Sequence, residues 1–216
     1  MNRCEHTLWL SWPMPAETNT PYETAMAEIS AAQNLPKTVV LKQTHTGDEA
    51  YEIRNEAEQI VISGDDAGLL YGVYEILMAD GRIENGIRKP AYAYRMINCW
   101  DNMDGTIERG YSGRSLWFDN GRIAYDASRI RLLARHLASV GINVICINNV
   151  NVHQDALSLI DEHLDDVAEL ASIFRAYHVR LMLSISFAHP LSDGIATADP
   201  LNPAVIGWWE RRTALV

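Results

Sequence analysis

The chain has 216 residues, with 18 Lys and Arg against 28 Asp and Glu and a formal net charge of −10. A composition of 48% apolar and 21% charged residues excludes a disordered, collagen-like or disulfide-stapled chain. An acidic chain with no basic run is not expected to bind nucleic acid. No apolar stretch reaches the roughly 20 residues that span a bilayer, so no membrane partner is expected either. Met1 is not followed by a basic and then an apolar segment, which predicts a non-exported, cytoplasmic protein. Cys4, Cys99 and Cys146 are odd in number and lack metal-ligand spacing, and read as reduced structural thiols.

The character of the chain changes near Lys89-Pro90. Before it, elements are short and mixed. Thr20-Pro21-Tyr22-Glu23 is a helix start, with Thr20 as cap, Pro21 at the first helical position and Glu23 completing a capping box. That helix is expected through Ala32. Three strands are expected at 38–43, 51–54 and 59–63, the last ended by Gly64-Asp65-Asp66. Leu69, Leu70, Val73, Ile76 and Leu77 recur at helical spacing, with Gly81 as the stop. Residues 1–90 therefore read as a small α+β domain.

After Pro90, strands and helices alternate. A strand is expected at 95–99, then a polar loop from Asp101 to Asn120. Asp126 can cap a helix through Val140, with Tyr125 and Ile130 as a hydrophobic staple and Gly141 as its end. A second strand is expected at 142–147, one or two helical segments over 155–177, a third strand at 179–187 and a helix opening at Asn202-Pro203. Apolar strands alternating with helices predict parallel pairing, in either a (β/α)8 barrel or a doubly wound sheet. No Gly-rich phosphate loop follows the first strand, which disfavours a nucleotide enzyme on a doubly wound sheet. A full barrel takes about 250 residues. The fold class expected is thus α/β: a small α+β domain at 1–90, then the first three βα units of a truncated (β/α)8 TIM barrel at 91–216.

In a barrel, chemistry gathers at the C-terminal ends of the strands. That rule selects three segments. The first, from Trp100 to Tyr111, holds Asp101, Asp104, Glu108, Arg109 and an indole on which a sugar ring can stack. Arg109 can meet an acidic ligand or neutralise Asp101 or Asp104, and Asp104-Gly105 is also plain turn chemistry. The second is Asn148-Asn149-Val150-Asn151, whose amides either line a polar pocket or bond the loop backbone. The third runs from Ser184 to Pro190. Its Ser186 lacks a nucleophile elbow, and His189 reads as structural or substrate-facing rather than as a base. His45 and His153 have no partner at metal spacing, and Trp208-Trp209 reads as core. No cofactor or metal is expected.

The run Cys99-Trp100-Asp101-Asn102-Met103-Asp104-Gly105-Thr106-Ile107-Glu108-Arg109-Gly110-Tyr111, continuing to Trp117, resembles the glycoside hydrolase family 67 α-glucuronidases. So do Gly141-Ile142-Asn143 through Asn151, and Thr197-Ala198-Asp199-Pro200-Leu201. Over residues 1–90 the resemblance rests mainly on Gly64-Asp65-Asp66 and Gly68-Leu69-Leu70-Tyr71-Gly72. It implies an inverting hydrolase that removes glucuronic or 4-O-methyl-glucuronic acid, α-1,2-linked to the terminal xylose of xylo-oligosaccharides. It further implies a Glu general acid, with an Asp and a Glu in the base function, on later barrel strands beyond Val216. No catalytic residue is therefore assigned within the chain, and this part alone is expected to be inactive. By the same resemblance Trp100 and Val150 match positions lining the uronic-acid pocket. Asp101, Asn102, Arg109, Asn149 and Asn151 join them as substrate-binding candidates, and Arg95 and Arg109 are the cations within reach of a carboxylate. The partner implied is a glucuronic-acid-bearing xylo-oligosaccharide, with a homodimer allowed for. The alternatives are a non-catalytic carbohydrate-binding fragment and a hexosaminidase-like glycosidase.

Overall fold

A computed structural model describes residues 12–33, 35–45, 47–79, 82–148 and 157–216. The chain divides into two compact units. One comprises Met1–Met96, Ser128–Val144 and Ser172–Arg180; the other comprises Ile97–Ala127, Ile145–Ala171 and Leu181–Val216.

In the first unit, helix α1 (Pro21–Ala31) begins as its sequence dictates. Thr20 Oγ1 accepts from the Glu23 N–H, and Glu23 returns a carboxylate to the Thr20 N–H. Strands β1 (Thr38–Gln43), β2 (Tyr51–Asn55) and β3 (Gln59–Gly64), with β4 (Gly86–Arg88), form a sheet in the order β1-β3-β2-β4. The β1–β3 pair is parallel, while β2 runs antiparallel to both β3 and β4. Helix α2 (Asp66–Met78) packs on this sheet. Its N-cap Asp65 accepts from the Gly68 N–H at 2.8 Å. Leu69, Leu70 and Val73 of α2 are fully buried, as are Ile53, Ile60 and Ile62 of the sheet. Burying such side chains contributes about 1.5–3 kcal/mol each.

Two glycines let α2 approach that closely. A Cβ on Gly68 would lie 2.3 Å from the Ala50 carbonyl oxygen, and one on Gly72 would lie 2.6 Å from Ile62 Cγ2. The expected stop, Gly81, lies outside the described residues; the helix closes on Ala79.

The same unit buries one ion pair completely. Glu28 Oε1 accepts from Arg135 Nε at 2.7 Å and from Tyr74 OH at 3.0 Å; Oε2 accepts from Arg135 Nη2 at 2.7 Å and Trp12 Nε1 at 2.5 Å. Four donors on one carboxylate satisfy the condition under which a buried charge pair is tolerated. Burial, and then the Glu28 charge, hold the Tyr74 hydroxyl well above the ordinary phenol range.

The remaining strands are short. Strands β5 (Met96–Asn98), β8 (Val144–Cys146) and β9 (Arg180–Met182) form a sheet in that order, and β6 (Phe118–Asp119) and β7 (Arg122–Ile123) form a two-stranded ribbon. Val144 N–H donates to Arg95 O at one end and Cys99 N–H to Cys146 O at the other, so β5 and β8 run in the same direction. Arg180 N–H to Asn143 O and Ile147 N–H to Met182 O give β8 and β9 the same sense. Helix α3 (Ala127–Ser139) lies between β7 and β8 in the chain. Helices α4 (Ser158–Asp161) and α5 (Leu164–Arg175) lie between β8 and β9; α6 (His189–Ser192) and α7 (Pro203–Thr213) follow. The chain is thus a mixed α/β protein with parallel strand pairs.

The third strand is much shorter than its apolar run predicts. Beyond Met182 the ladder is replaced by one side chain. Asn148, fully buried, accepts from the Ser184 N–H at 3.0 Å and donates to the Ser184 carbonyl at 2.6 Å. In the second unit Trp117, Phe118, Ile145, Ile147 and Trp208 are among the buried side chains. Among the described residues no helix is long and apolar enough to cross a membrane.

Candidate substrate-binding loop

The loop after β5 is polar in sequence, yet it is closely bonded to itself. Met103, Trp117 and Phe118 anchor it as buried side chains, and Trp117 Nε1 donates to Ile147 O at 2.8 Å. Asn102 organises the centre. Its Nδ2 donates to Thr106 Oγ1 and to Glu108 O, both at 2.8 Å, and its backbone N–H reaches Thr106 O at 2.8 Å. Asp104 Oδ1 accepts from both the N–H and the hydroxyl of Thr106, which holds its carboxyl below the usual range. Gly105 adopts φ +90°, where a side chain would also meet Phe118 O at 3.0 Å.

Asp101 is buried, at 4% exposure, and its partners are Ser115 and the Leu116 N–H. Burial raises its pKa, opposed by those two hydrogen bonds. Glu108 takes a left-handed backbone, φ +56°, with its N–H on Trp100 O at 2.7 Å. Arg114, not Arg109, forms the loop's ion pair, with Asp119 at 2.5 Å.

Two predicted ligand groups remain outward. Trp100 is 44% exposed. Arg109 is exposed and makes no ion pair among the described residues. This decides one alternative left open by the sequence: Arg109 does not neutralise Asp101 or Asp104. Asn149, Val150 and Asn151, together with His153 and Cys4, lie outside the described residues.

Arg95 is not an open cation. It donates to Gly141 O, to Tyr92 O and to Tyr71 OH, and pairs with Glu49. Glu49 also accepts from Asn143 Nδ2 at 2.8 Å and lies 2.9 Å from His178 Nε2. Burial would raise the Glu49 pKa, but the bonds from His178, Arg95 and Asn143 prevail and hold it down at about 2. This network joins residues as far apart as 49 and 178, and no local spacing announces it.

His189 is buried at the start of α6, at 3% exposure, in keeping with a structural role. Burial, followed by Asp101 and Cys146, pushes the Cys99 thiol up to about 12, and Cys146 is likewise raised, so neither is an activated nucleophile.

Comparison with known proteins agrees with the sequence of this loop. The glycosyl hydrolase family 67 middle domain matches residues 79–216. "Probable alpha-glucuronidase A" of Aspergillus oryzae is 40% identical over 173 residues, covering 77% of this chain and 20% of that protein. The protein of the same name from Neosartorya fischeri is 43% identical over 162 residues, covering 73% of this chain and 19% of its own length. The chain therefore spans about a fifth of the curated relatives that it matches. Among solved structures, a GH138 enzyme targeting pectin rhamnogalacturonan II superposes with a TM-score of 0.57 at 16% identity, covering 93% of this chain and 28% of that one; this is a likeness of fold. With its middle-domain match extending over well more than half of its residues, the chain belongs to glycosyl hydrolase family 67.

Proposed function

We propose that the chain is the substrate-binding part of an α-glucuronidase that hydrolyses the α-1,2 link between glucuronic or 4-O-methyl-glucuronic acid and xylose in xylo-oligosaccharides. Family membership and the names of the relatives support this reading. The observation that carries it within this chain is the division of labour in the loop after β5. Asp101 and Asn102 are used to hold the loop, while Trp100 and Arg109 are presented outward. A half-exposed indole offers a face to a sugar ring, and a guanidinium without an ion-pair partner among the described residues offers two parallel donors to a uronate carboxylate.

The finer readings go with it. Residues 1–90 form an α+β domain, and β5, β8 and β9 are the first strands of a (β/α)8 barrel truncated in this chain. The loop after β5 then sits at the end of the barrel where sites gather. Asn149, Val150 and Asn151 complete the pocket. No catalytic carboxylate is assigned within residues 1–216. Inversion requires an acid and a base roughly 6.5–9.5 Å apart, with water between base and sugar. Those groups belong to the remainder of the enzyme, so no turnover is expected from these residues alone.

The test is a titration of the chain with glucuronic acid, followed by tryptophan fluorescence. Glucuronic acid is expected to quench and xylose is not. Arg109→Ala should weaken binding about tenfold by removing a charge-assisted pair, and Trp100→Ala should remove most of the fluorescence change. Equal binding of xylose and glucuronic acid, or no effect of Arg109→Ala, rejects the assignment.

A further inference from the structure

The first unit carries a concavity whose chemistry differs from that of the loop. It is a cleft of about 990 Å³ lined by Gln43, His45, Asp66, Tyr92, Tyr94 and Arg180, among others. That volume lies at the upper end of the range for small-ligand sites, roughly 300–1,000 Å³. Most of the charges on its wall are already partnered: Asp48 with Lys89 at 2.7 Å, Glu49 with Arg95, and Asp66 with the Gln43 amide at 2.7 Å.

Two tyrosines are not used in this way. Tyr92 is 74% exposed and Tyr94 is 68% exposed, although the backbone that carries them is fixed. Asn143, fully buried, donates to Ala93 O at 2.8 Å and accepts from the Arg95 N–H at 2.9 Å, clamping the chain on both sides of Tyr94. Arg95 Nη1 holds the Tyr92 carbonyl at 2.8 Å. Arg180 stacks on the Tyr94 ring at 5.8 Å and has no carboxylate partner among the described residues. The hydroxyl of Thr44, which also lines the cleft, is buried without a partner among the described residues. Asp48 and Glu49 of the lining lie in the left-handed run Gly47, Asp48 and Glu49, with φ of 62°, 60° and 59°. Two consecutive non-glycine residues in that region are strained, and such backbone persists where its surroundings over-determine it.

We propose that this cleft is a non-catalytic binding site for a neutral oligosaccharide, with pyranose rings stacked on Tyr92 and Tyr94. Rigidly presented phenol rings supply stacking area at little entropic cost. The remaining lining supplies amide, carboxylate and hydroxyl groups that can donate to and accept from sugar hydroxyls. Charge selects the ligand class. Among the lining charges the carboxylates Asp48, Glu49, Asp65 and Asp66 outnumber the cations Lys89, Arg95 and Arg180 by one, with Asp48 paired to Lys89 and Glu49 to Arg95. A uronic acid is thereby disfavoured here, in contrast to the loop that presents Arg109. The choice of a xylan-type chain as ligand rests on the proposed function; the neutral, ring-stacked chemistry does not.

The experiment is calorimetric titration of the 216-residue chain with xylohexaose, and separately with glucuronic acid. Xylohexaose is expected to bind, and to bind roughly tenfold more weakly to the Tyr92→Ala/Tyr94→Ala double variant. Gly207→Ala in α7, away from the cleft and from the loop, is expected to leave xylohexaose affinity unchanged. Both tyrosines are exposed, so the double variant should retain the parent's unfolding midpoint, which is measured alongside. Absence of xylohexaose binding, or binding indifferent to the two tyrosines, overturns the proposal. Tyrosine-dependent xylohexaose binding without any glucuronic acid binding upholds this site and rejects the loop assignment instead.

Discussion

Helix α2 and the loop after β5 fix their backbones by opposite means. Against β3, α2 is held by buried Leu69, Leu70 and Val73 and by the absence of side chains at Gly68 and Gly72. The loop is held by polar groups bonding to one another: Asn102 to Thr106 and Glu108, Asp104 to Thr106, and Asp101 to Ser115. Apolar contact consumes the side chains that make it. Polar self-bonding lets a segment stay ordered at the surface while Trp100 and Arg109 remain outward. The difference teaches where each region is vulnerable. The first fails through added volume, the second through lost hydrogen bonds.

The sharpest way to break the comparison is Gly68→Ala. In an ordinary helix that change stabilises by about 0.5–1 kcal/mol. Here the new Cβ would sit 2.3 Å from the Ala50 carbonyl oxygen, a backbone atom that cannot step aside alone. The expected result is a loss of about 3 kcal/mol in urea unfolding, an overpacking penalty at its upper range. Gly207→Ala in α7 is the control. Its nearest neighbour would be Arg211 Nη1 at 3.5 Å, a flexible tip, so it should be neutral or stabilising. If both substitutions stabilise, the helix does not depend on close approach.

These glycines also show what could be read from the sequence. The Gly64-Asp65-Asp66 and Gly68 to Gly72 run is visible as a motif; Asp65 as its cap is not read from the sequence, but its helix is foreseeable from the apolar spacing. So are α1, from Thr20, Pro21 and Glu23, and β1, from a β-branched run that the structure keeps from Thr38 to Gln43. All of that information is local. The ribbon of β6 and β7 also had a local signal, Asn120-Gly121 between Phe118 and Ile123, which a reading of 101–120 as plain loop passes over. The charged networks were not legible. Glu28 meets Arg135 across 107 residues and Glu49 meets His178 across 129, and no periodicity encodes such pairs. For the same reason Arg95 resembled an open cation until the fold placed Glu49 against it. In the loop the residue types were readable, but not their roles. Which of Trp100, Asp101, Asn102 and Arg109 turn inward depends on partners such as Ser115, whose contribution only the folded chain defines.

Glu49 tests an intermediate case, a strained turn under α2 that is held by polar bonds. Its folded pKa, about 2, lies below its ordinary value of 4.5. A carboxylate depressed on folding stabilises fully above its unfolded pKa and loses that contribution as pH falls through the folded one. Stability should therefore decline as pH is lowered from 4.5 toward 2. Glu49→Gln should be less stable at neutral pH by about 2 kcal/mol, since it exchanges charged hydrogen bonds for neutral ones. It should also show a shallower acid slope than the parent chain. Parallel slopes for the two proteins in pH-dependent urea unfolding would mean that the acid response lies elsewhere.

The smallest effect on stability is expected from Asn102→Ala, and it sharpens the comparison most. Asn102 makes two side-chain hydrogen bonds, to Thr106 Oγ1 and Glu108 O, in a segment whose anchors Met103, Trp117 and Phe118 stay buried. Losing them should lower global stability by only about 1 kcal/mol, because the freed groups lie near solvent and can be rehydrated. The local consequence is larger. Glu108 O loses its side-chain donor, and the left-handed turn that leads into Arg109 keeps the Glu108 N–H to Trp100 O and the Gly110 N–H to Ile107 O bonds. Amide hydrogen exchange should rise over 104–110 while the amides of β3 and α2 stay protected. The same variant should bind glucuronic acid more weakly although neither Trp100 nor Arg109 has been touched. Unchanged exchange with weakened binding would instead make Asn102 a direct ligand of the sugar. The two outcomes separate a residue that shapes the loop from one that meets the substrate.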